Sequence, residues 1–129
     1  MLEAGIRGEQ SVAVTSENTA KTMGSGTLDV FATPALVALA EKTCWMSVAA
    51  ALDEGCGTVG TRLDVSHDSA SPIGIKVWAE SEVTEVDGKR IELKVAAYDE
   101  KGMIGHGTHQ RFIVTDERFL AKTAKKLEG

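Results

Sequence analysis

A single carboxylate, Glu41, lies within a long apolar stretch and is the side chain best placed to do chemistry. The stretch runs from Pro34 to Leu52, and its only charges are Glu41 and Lys42. At helical spacing the neighbours of the carboxylate are Val37, Ala38, Cys44 and Trp45. Because an unpaired charge is costly to remove from water, we expect Glu41 to find a partner or to react. Lys42, strand residues or water are the partners that would satisfy it without chemistry.

A hydroxyl and an imidazole offer complementary chemistry. Thr33 precedes Pro34, which suits a helix N-cap followed by the first helical residue, because proline has no backbone N–H to lose there. Such a hydroxyl can also hydrogen-bond to a carbonyl group or attack it. His67 shares a strand face with Leu63 and Val65, so we expect it to point inward. It is then either a satisfied core residue or a general acid–base group.

The spacing of Thr33 and Glu41 limits how they can cooperate. Eight residues along a helix correspond to a rise of about 12 Å. We therefore expect the two side chains not to touch unless the loop before the helix folds back. A substrate lying along the helix would meet both.

The segment from Gly105 to Arg111 reads Gly-His-Gly-Thr-His-Gln-Arg. A Gly-x-Gly pattern inside a strand predicts a close backbone approach or a bulge. His109 and Arg111 share one strand face and are expected to project to one site, whereas His106 and His109 face opposite sides. Because no compact set of carboxylates accompanies the histidines, we expect no metal site.

Bulk properties favour one globular domain over residues 1–129. A net charge of -5 gives no reason to expect nucleic-acid binding. The apolar stretch approaches a membrane span in length, but its alanine content and the charges near its centre favour a buried helix, so no membrane partner is expected. The N-terminus lacks a signal-peptide hydrophobic region, and Cys44 and Cys56 lack metal-type spacing, so we expect reduced thiols in a cytoplasmic protein.

The hydrophobic pattern predicts the elements that position these residues. A short strand over Glu9–Thr15 and a flexible loop over Met23–Thr27 precede a helix over about 34–53, which Gly55 and Gly57 end. Because this helix is apolar nearly all round, we expect other structure to enclose it. Four alternating strands follow, and the chain closes with a short surface helix over 116–127. The four strands are predicted over 59–68, 75–84, 91–98 and 103–115.

This order of elements is typical of the hotdog fold, an α+β architecture in which an antiparallel sheet wraps around one central helix. One helix cannot cover such a sheet fully, and the sheet has open edges. We therefore expect a homodimer with one continuous sheet, or a tetramer.

Several short motifs occur in a defined order between about Gly8 and Thr115. They are Val30-Phe31-Ala32-Thr33, Leu39-Ala40-Glu41, Val59-Gly60-Thr61, Val65-Ser66-His67, Ser71-Pro72-x-Gly74 and Gly105-x-Gly107-Thr108-His109-x-Arg111. Their order and spacing resemble the fluoroacetyl-CoA thioesterase family, a branch of the hotdog thioesterases.

The resemblance implies hydrolysis of a short-chain acyl-CoA to a free acid and CoA, near the subunit interface of a dimer. It implies Thr33, Glu41 and His67 as the catalytic set, Gly60 near the thioester carbonyl, and Arg111 as a substrate contact. His109 joins the predicted substrate-binding set because it shares a strand face with Arg111. No metal or organic cofactor is expected, because a thioester is already activated and CoA belongs to the substrate. Whether Thr33, Glu41 or a water molecule attacks stays open.

One departure from the family concerns the acyl group. The family's founding enzyme has a longer, phenylalanine-bearing segment that forms a lid before the helix, whereas the loop Met23–Leu28 is shorter and has no aromatic residue. We therefore expect a different small acyl group. The two alternative functions are a non-catalytic acyl-CoA-binding hotdog module and an acyl-thioester dehydratase or hydratase.

Overall fold

One five-stranded antiparallel sheet wraps around one long helix in the computed structural model, which describes residues 1–128. The strands are β1 (Arg7–Ala13), β2 (Cys56–His67), β3 (Lys76–Asp87), β4 (Arg90–Asp99) and β5 (Gly102–Thr115). The helices are α1 (Ala20–Met23), α2 (Thr33–Val48) and α3 (Asp116–Ala124), with 3-10 turns at Ala49–Ala51 and Lys125–Glu128.

The strand order in the sheet is β1-β3-β4-β5-β2, so β1 and β2 form its two edges. Every neighbouring pair is antiparallel. The β3–β4 hairpin turns at Gly88, whose φ of 62° suits glycine. This topology confirms the predicted α+β hotdog architecture, and the short C-terminal helix is confirmed as well.

Several element boundaries differ from the predicted ones. Strand β1 begins two residues earlier, because its pairing with β3 extends back to Arg7 opposite Glu82. Helix α2 ends at Val48, and the three alanines that follow tighten into a 3-10 turn. The four-residue helix α1 was not predicted; the Thr19 hydroxyl accepts from the Thr22 N–H at its start.

The core lies between the sheet and one face of α2. The side chains that α2 buries against the sheet are Leu36, Leu39, Ala40, Thr43, Cys44 and Val48. Strands β3 and β4 supply the facing layer, which includes Val77, Val83, Ile91 and Leu93. This packing holds α2 in register with the sheet along its whole length.

The expectation that α2 is enclosed on all sides is wrong for the chain taken alone. Ala38, Lys42, Trp45 and Met46 lie on its outer face, and Trp45 is 44% exposed. The physical reason is that one sheet covers only one face of a helix. Within residues 1–128, no helix is both long and apolar enough to cross a membrane.

Two glycines in β5 let the backbone of β2 approach closely, as the Gly-x-Gly pattern predicts. A Cβ atom at Gly107 would overlap the carbonyl oxygen of Asp64, and one at Gly105 would overlap that of Ser66. In the sheet Gly105 pairs with His67, so this contact fixes the end of β2 that presents the imidazole.

We expect Gly107→Ala to lower the free energy of unfolding by roughly 1–3 kcal/mol, because the added methyl group forces the β2 and β5 backbones apart. Urea denaturation monitored by circular dichroism measures this change. The control is Thr108→Ala on the same strand, an exposed position at which we expect a change of at most about 0.5 kcal/mol. Equal stability of the two variants would contradict the close-approach argument.

Candidate active site

The Thr33 hydroxyl lies 2.8 Å from His67 Nδ1. Thr33 is the first residue of α2 and His67 the last residue of β2, so the helix start meets the strand end at this point. The prediction that Thr33 is the N-cap is wrong. Ala32 occupies that position, no side chain caps the helix, and the threonine hydroxyl is turned to the imidazole instead.

The environment of His67 favours its neutral form. Burial lowers the pKa of His67 below its usual value, and the nearby Asp68 carboxylate and the Ser69 backbone oppose that effect in part. Its Nε2 is buried and has no hydrogen-bond partner among residues 1–128. A neutral imidazole next to a hydroxyl can take up the hydroxyl proton, which is the arrangement that activates a nucleophile.

The Thr33–His67 pair opens onto a cleft of about 240 Å³. The cleft is bounded by the loop before α2 and the loop after β2. Its other lining residues are Ala20, Ser25, Val30, Phe31, Asp68, Ser69 and Ala70. The prediction that His67 points inward is confirmed, because its ring contacts the start of α2 and lines this cleft.

Glu41 lies further along α2 and pairs with Arg111 on β5. Its Oε2 is 3.5 Å from Arg111 Nη1, and its side chain is 43% exposed whereas that of Arg111 is 7% exposed. The carboxylate also lies directly over Gly60, since a Cβ atom at that position would be only 2.6 Å from Oε2. Glu41 is thus partly removed from water, and its charged partner is Arg111 rather than Lys42.

The Arg111 guanidinium is held by a polar cradle. Its Nε donates to Thr58 Oγ1 at 2.7 Å, and its Nη2 donates to the Thr58 carbonyl oxygen at 2.9 Å. Its Nη1 lies 3.0 Å from His109 Nε2. Burial lowers the pKa of Arg111, and the negative charge of Glu41 opposes this shift. The predicted convergence of His109 and Arg111 on one site is confirmed.

The candidate residues form two groups rather than one. Thr33 and His67 meet at the N-terminus of α2, whereas Glu41, Gly60, His109 and Arg111 meet beside its middle. Within residues 1–128, no hydrogen bond or ion pair joins the two groups. This agrees with the predicted spacing of about 12 Å along the helix.

Two contributors were missed by reasoning from the sequence. Thr58 anchors the guanidinium, and Asp68 acts electrostatically on His67. The role of Thr58 could have been predicted from the register of β2 and β5. Gly60 pairs with Arg111, so Thr58 is a diagonal neighbour of the arginine on the same face, which a known β2–β5 pairing would have exposed.

Comparison with known proteins gives a consistent match. Residues 14–117 match the model of the family described as fluoroacetyl-CoA-specific thioesterase. A curated relative from Streptantibioticus cattleyicolor, named fluoroacetyl-CoA thioesterase, is 39% identical over 98 residues, which cover 76% of this chain and 70% of the relative.

Solved structures extend the likeness to the whole backbone. A structure of a fluoroacetyl-CoA thioesterase matches with a TM-score of 0.92 at 32% identity, covering 98% of each chain. A phenylalanine-to-alanine variant of such an enzyme, solved in complex with fluoroacetate and CoA, matches with a TM-score of 0.86 at 31% identity. That match covers 92% of this chain and 99% of the other.

We expect Gly60→Ala to displace the Glu41 carboxylate while leaving the fold intact. The new Cβ atom would lie 2.6 Å from Glu41 Oε2 and 3.2 Å from His109 Cε1, and the carboxylate, as the end of a flexible side chain, is the group that yields. The free energy of unfolding should fall by roughly 1–3 kcal/mol, because the displaced carboxylate leaves the buried Arg111 charge without its counter-charge. Urea denaturation and a crystal structure of the variant measure the two effects. Thr61→Ala, the exposed neighbour, is the control, and a Glu41–Arg111 pair unchanged by Gly60→Ala would contradict the prediction.

Proposed function

The chain belongs to the fluoroacetyl-CoA-specific thioesterase family and is a thioester hydrolase, and we propose that Thr33, His67 and Glu41 hydrolyse a short-chain acyl-CoA to the free acid and CoA. The observation that carries this assignment of residues is the 2.8 Å contact between the Thr33 hydroxyl and His67 Nδ1 at the edge of an open cleft.

In the proposed reaction, His67 is the general base. With Nδ1 unprotonated, the imidazole takes a proton either from the Thr33 hydroxyl as it attacks the thioester carbonyl or from a water molecule that the hydroxyl holds. The new C–O bond forms as the C–S bond breaks, and His67 returns the proton to the departing CoA thiolate. If Thr33 is the nucleophile, a water molecule then attacks the acyl–threonine ester, His67 takes the proton of the water and passes it to the departing Thr33 oxygen, and the free acid is released. Thr33 lies in the first turn of α2, where the helix dipole stabilises developing negative charge.

Glu41 and Gly60 complete the proposed site further along the helix. Glu41 makes no contact with His67 among residues 1–128, so within one chain it does not orient the base. Held by a single oxygen, the carboxylate can instead attack the thioester itself and expel the CoA thiolate to form an anhydride, which water then cleaves. The backbone N–H of Gly60 is the proposed donor to the carbonyl oxygen, where one good donor is worth roughly 10²–10³ in rate. An acyl-CoA molecule that lies along α2 would meet both groups of residues.

We place these sites at the interface of a homodimer, with a tetramer as the larger alternative. The outer edge of β2 has no partner strand within residues 1–128, and α2 turns the exposed Trp45 and Met46 away from its own sheet. Pairing of two β2 edges would join the sheets and bring the two α2 helices side by side. A cytoplasmic location belongs to the same proposal and is supported by the two free thiols, Cys44 and Cys56.

The proposed substrate is a small acyl-CoA other than fluoroacetyl-CoA. The support is the short loop Met23–Leu28, which brings no aromatic side chain to the cleft beside Thr33. A panel of acetyl-, fluoroacetyl-, propionyl- and butyryl-CoA, assayed by thiol release, tests this proposal. A preference for fluoroacetyl-CoA would refute the choice of acyl group. Binding without thiol release would favour an acyl-CoA-binding module, and hydration of an enoyl-CoA would favour a hydratase.

We expect Glu41→Gln and His67→Ala each to reduce kcat/KM for the best acyl-CoA at least about 10²-fold, because each removes a group that the reaction needs in its ionised or basic form. The matched control is His106→Ala, which removes an imidazole from the exposed face of the same sheet and should leave the rate within about threefold. Circular dichroism verifies folding. Rates unchanged in both site variants would remove the proposed mechanism.

The pH dependence follows from the lowered pKa of His67. The base works only when neutral, so kcat/KM should be full at neutral pH and fall as the pH drops through the pKa of His67, with the midpoint below the ordinary value of 6.5. Asp68→Asn removes a negative charge that raises this pKa, so the midpoint should move to still lower pH. Asp64→Asn, an exposed change on β2, is the control. A midpoint that rises with Asp68→Asn would exclude His67 as the titrating base.

A further inference from the structure

His109 is almost fully buried, with 2% of its surface exposed, and both of its ring nitrogens are engaged. Nδ1 lies 2.8 Å from the Arg62 carbonyl oxygen, and Nε2 lies 3.0 Å from Arg111 Nη1. Within a single chain the ring is therefore closed to a substrate. His109 can therefore influence a reaction only through the residues that its ring contacts, Arg62 and Arg111.

The two partners of the ring fix its protonation state. A carbonyl oxygen can only accept a hydrogen bond, so Nδ1 must carry the proton that it donates to Arg62. A guanidinium can only donate, so Nε2 must offer a lone pair to Arg111. His109 is thus the neutral Nδ1–H tautomer, and a second proton on Nε2 would face an N–H group of a buried cation.

The hydrogen-bond partners of the Arg111 guanidinium can be assigned in the same way. Thr58 takes the Nε hydrogen and one Nη2 hydrogen, and it holds that side of the group. On the other side, Nη1 is shared between His109 at 3.0 Å and Glu41 at 3.5 Å. His109 is therefore the second fixed point that sets the plane of the guanidinium and the direction of the hydrogen offered to Glu41.

Arg111 is the single anchor of Glu41 within the part of the chain that the structure describes. Among residues 1–128 only its Oε2 is bonded, and the single partner is Arg111. Gly60 leaves the space that the Glu41 carboxylate occupies, and it has no side chain with which to hold the carboxylate there. The position of Glu41 is thus set by Arg111, and the position of Arg111 is set by Thr58 and His109.

We propose that His109 is a positioning residue for catalysis: by accepting a hydrogen bond from Arg111 it aims the guanidinium that holds the Glu41 carboxylate over Gly60. This inference rests on the proposed function, because it assigns His109 a part in the thioesterase reaction. It places His109 behind Arg111, not against the substrate.

Burial, together with the bond to Arg111, favours the neutral state of His109. Arg111 on β5 repels a protonated ring, while Glu41 on α2 and Glu92 on β4 favour one; burial dominates, and the pKa of His109 is lowered. The β2 side contributes the Arg62 carbonyl, which can be satisfied by the neutral ring. Protonation at low pH should therefore break the bond to Arg111 and release Glu41.

Two substitutions separate positioning from mere packing. His109→Leu keeps bulk but offers Arg111 no acceptor, whereas His109→Gln supplies an amide oxygen that can accept from Arg111 and cannot titrate in this range. At pH 7.5 we expect His109→Leu to lower kcat on the order of 10–10²-fold with KM within about threefold, and His109→Gln to restore kcat to within about threefold. Equal kcat in wild type and His109→Leu would overturn the proposal.

The pH profile gives a second readout that a structural role would not move. If both His67 and His109 must be neutral, log kcat/KM in the wild type should fall with a slope approaching two at low pH, and His109→Gln should reduce the slope to one. His106→Gln is the matched control on the opposite face of β5 and should keep the slope of two. A slope of two retained in His109→Gln would contradict the inference.

Crystal structures of the His109→Leu and His109→Gln variants test the positioning role even if no acyl-CoA is hydrolysed. In His109→Leu the Glu41 carboxylate should leave its place over Gly60, and in His109→Gln it should stay. If the wild type hydrolyses no acyl-CoA, the proposed function fails, and with it the catalytic part of this inference, while the structures still decide the positional part. If the wild type hydrolyses the substrate and Glu41 stays in place in His109→Leu, only the positioning inference fails.

Discussion

Burial of the Arg111 guanidinium is the constraint on which the middle of this site depends. A charge that is 7% exposed must be compensated inside the protein, because its desolvation costs several kcal/mol. The chain meets that demand with neutral acceptors from Thr58 and His109 and with one carboxylate, Glu41. The same carboxylate that balances the cation is the one that the proposed reaction uses, so folding and chemistry share one ion pair.

The second group of residues, Thr33 and His67, is held by a neutral hydrogen bond and not by an ion pair. Thr33 and His67 form a neutral pair that meets where a helix begins and a strand ends, and its geometry depends on backbone packing rather than on charge. The close approach of β2 to Gly105 and Gly107 sets the strand end. Charge balance therefore organises one half of the site and backbone contact the other.

Much of this arrangement could be predicted from the sequence, because the decisive signals are local. The alternation of the strands and the long apolar helix indicate the architecture, and the position of Glu41 among apolar neighbours marks it as unusual. The partner of Glu41 could not be predicted, since Arg111 lies 70 residues away and the pairing depends on the register of two strands. Local capping preference predicts Thr33 as the N-cap, but a tertiary hydrogen bond to His67, which only the fold supplies, turns the hydroxyl away from the helix.

Helix α2 fixes both the spacing and the relative direction of the hydroxyl and the carboxylate. Each residue added to a helix turns everything beyond it by about 100°. One inserted residue between Thr33 and Glu41 would carry the acid away from β2 and leave the Arg111 cation without its counter-charge. The loop Met23–Leu28 lies outside this segment, so its length can drift without altering the distance between the two reactive groups. A change in the length of this loop would therefore alter the cleft beside Thr33 without disturbing the geometry of the hydroxyl and the carboxylate, whereas an insertion between Thr33 and Glu41 would disturb it.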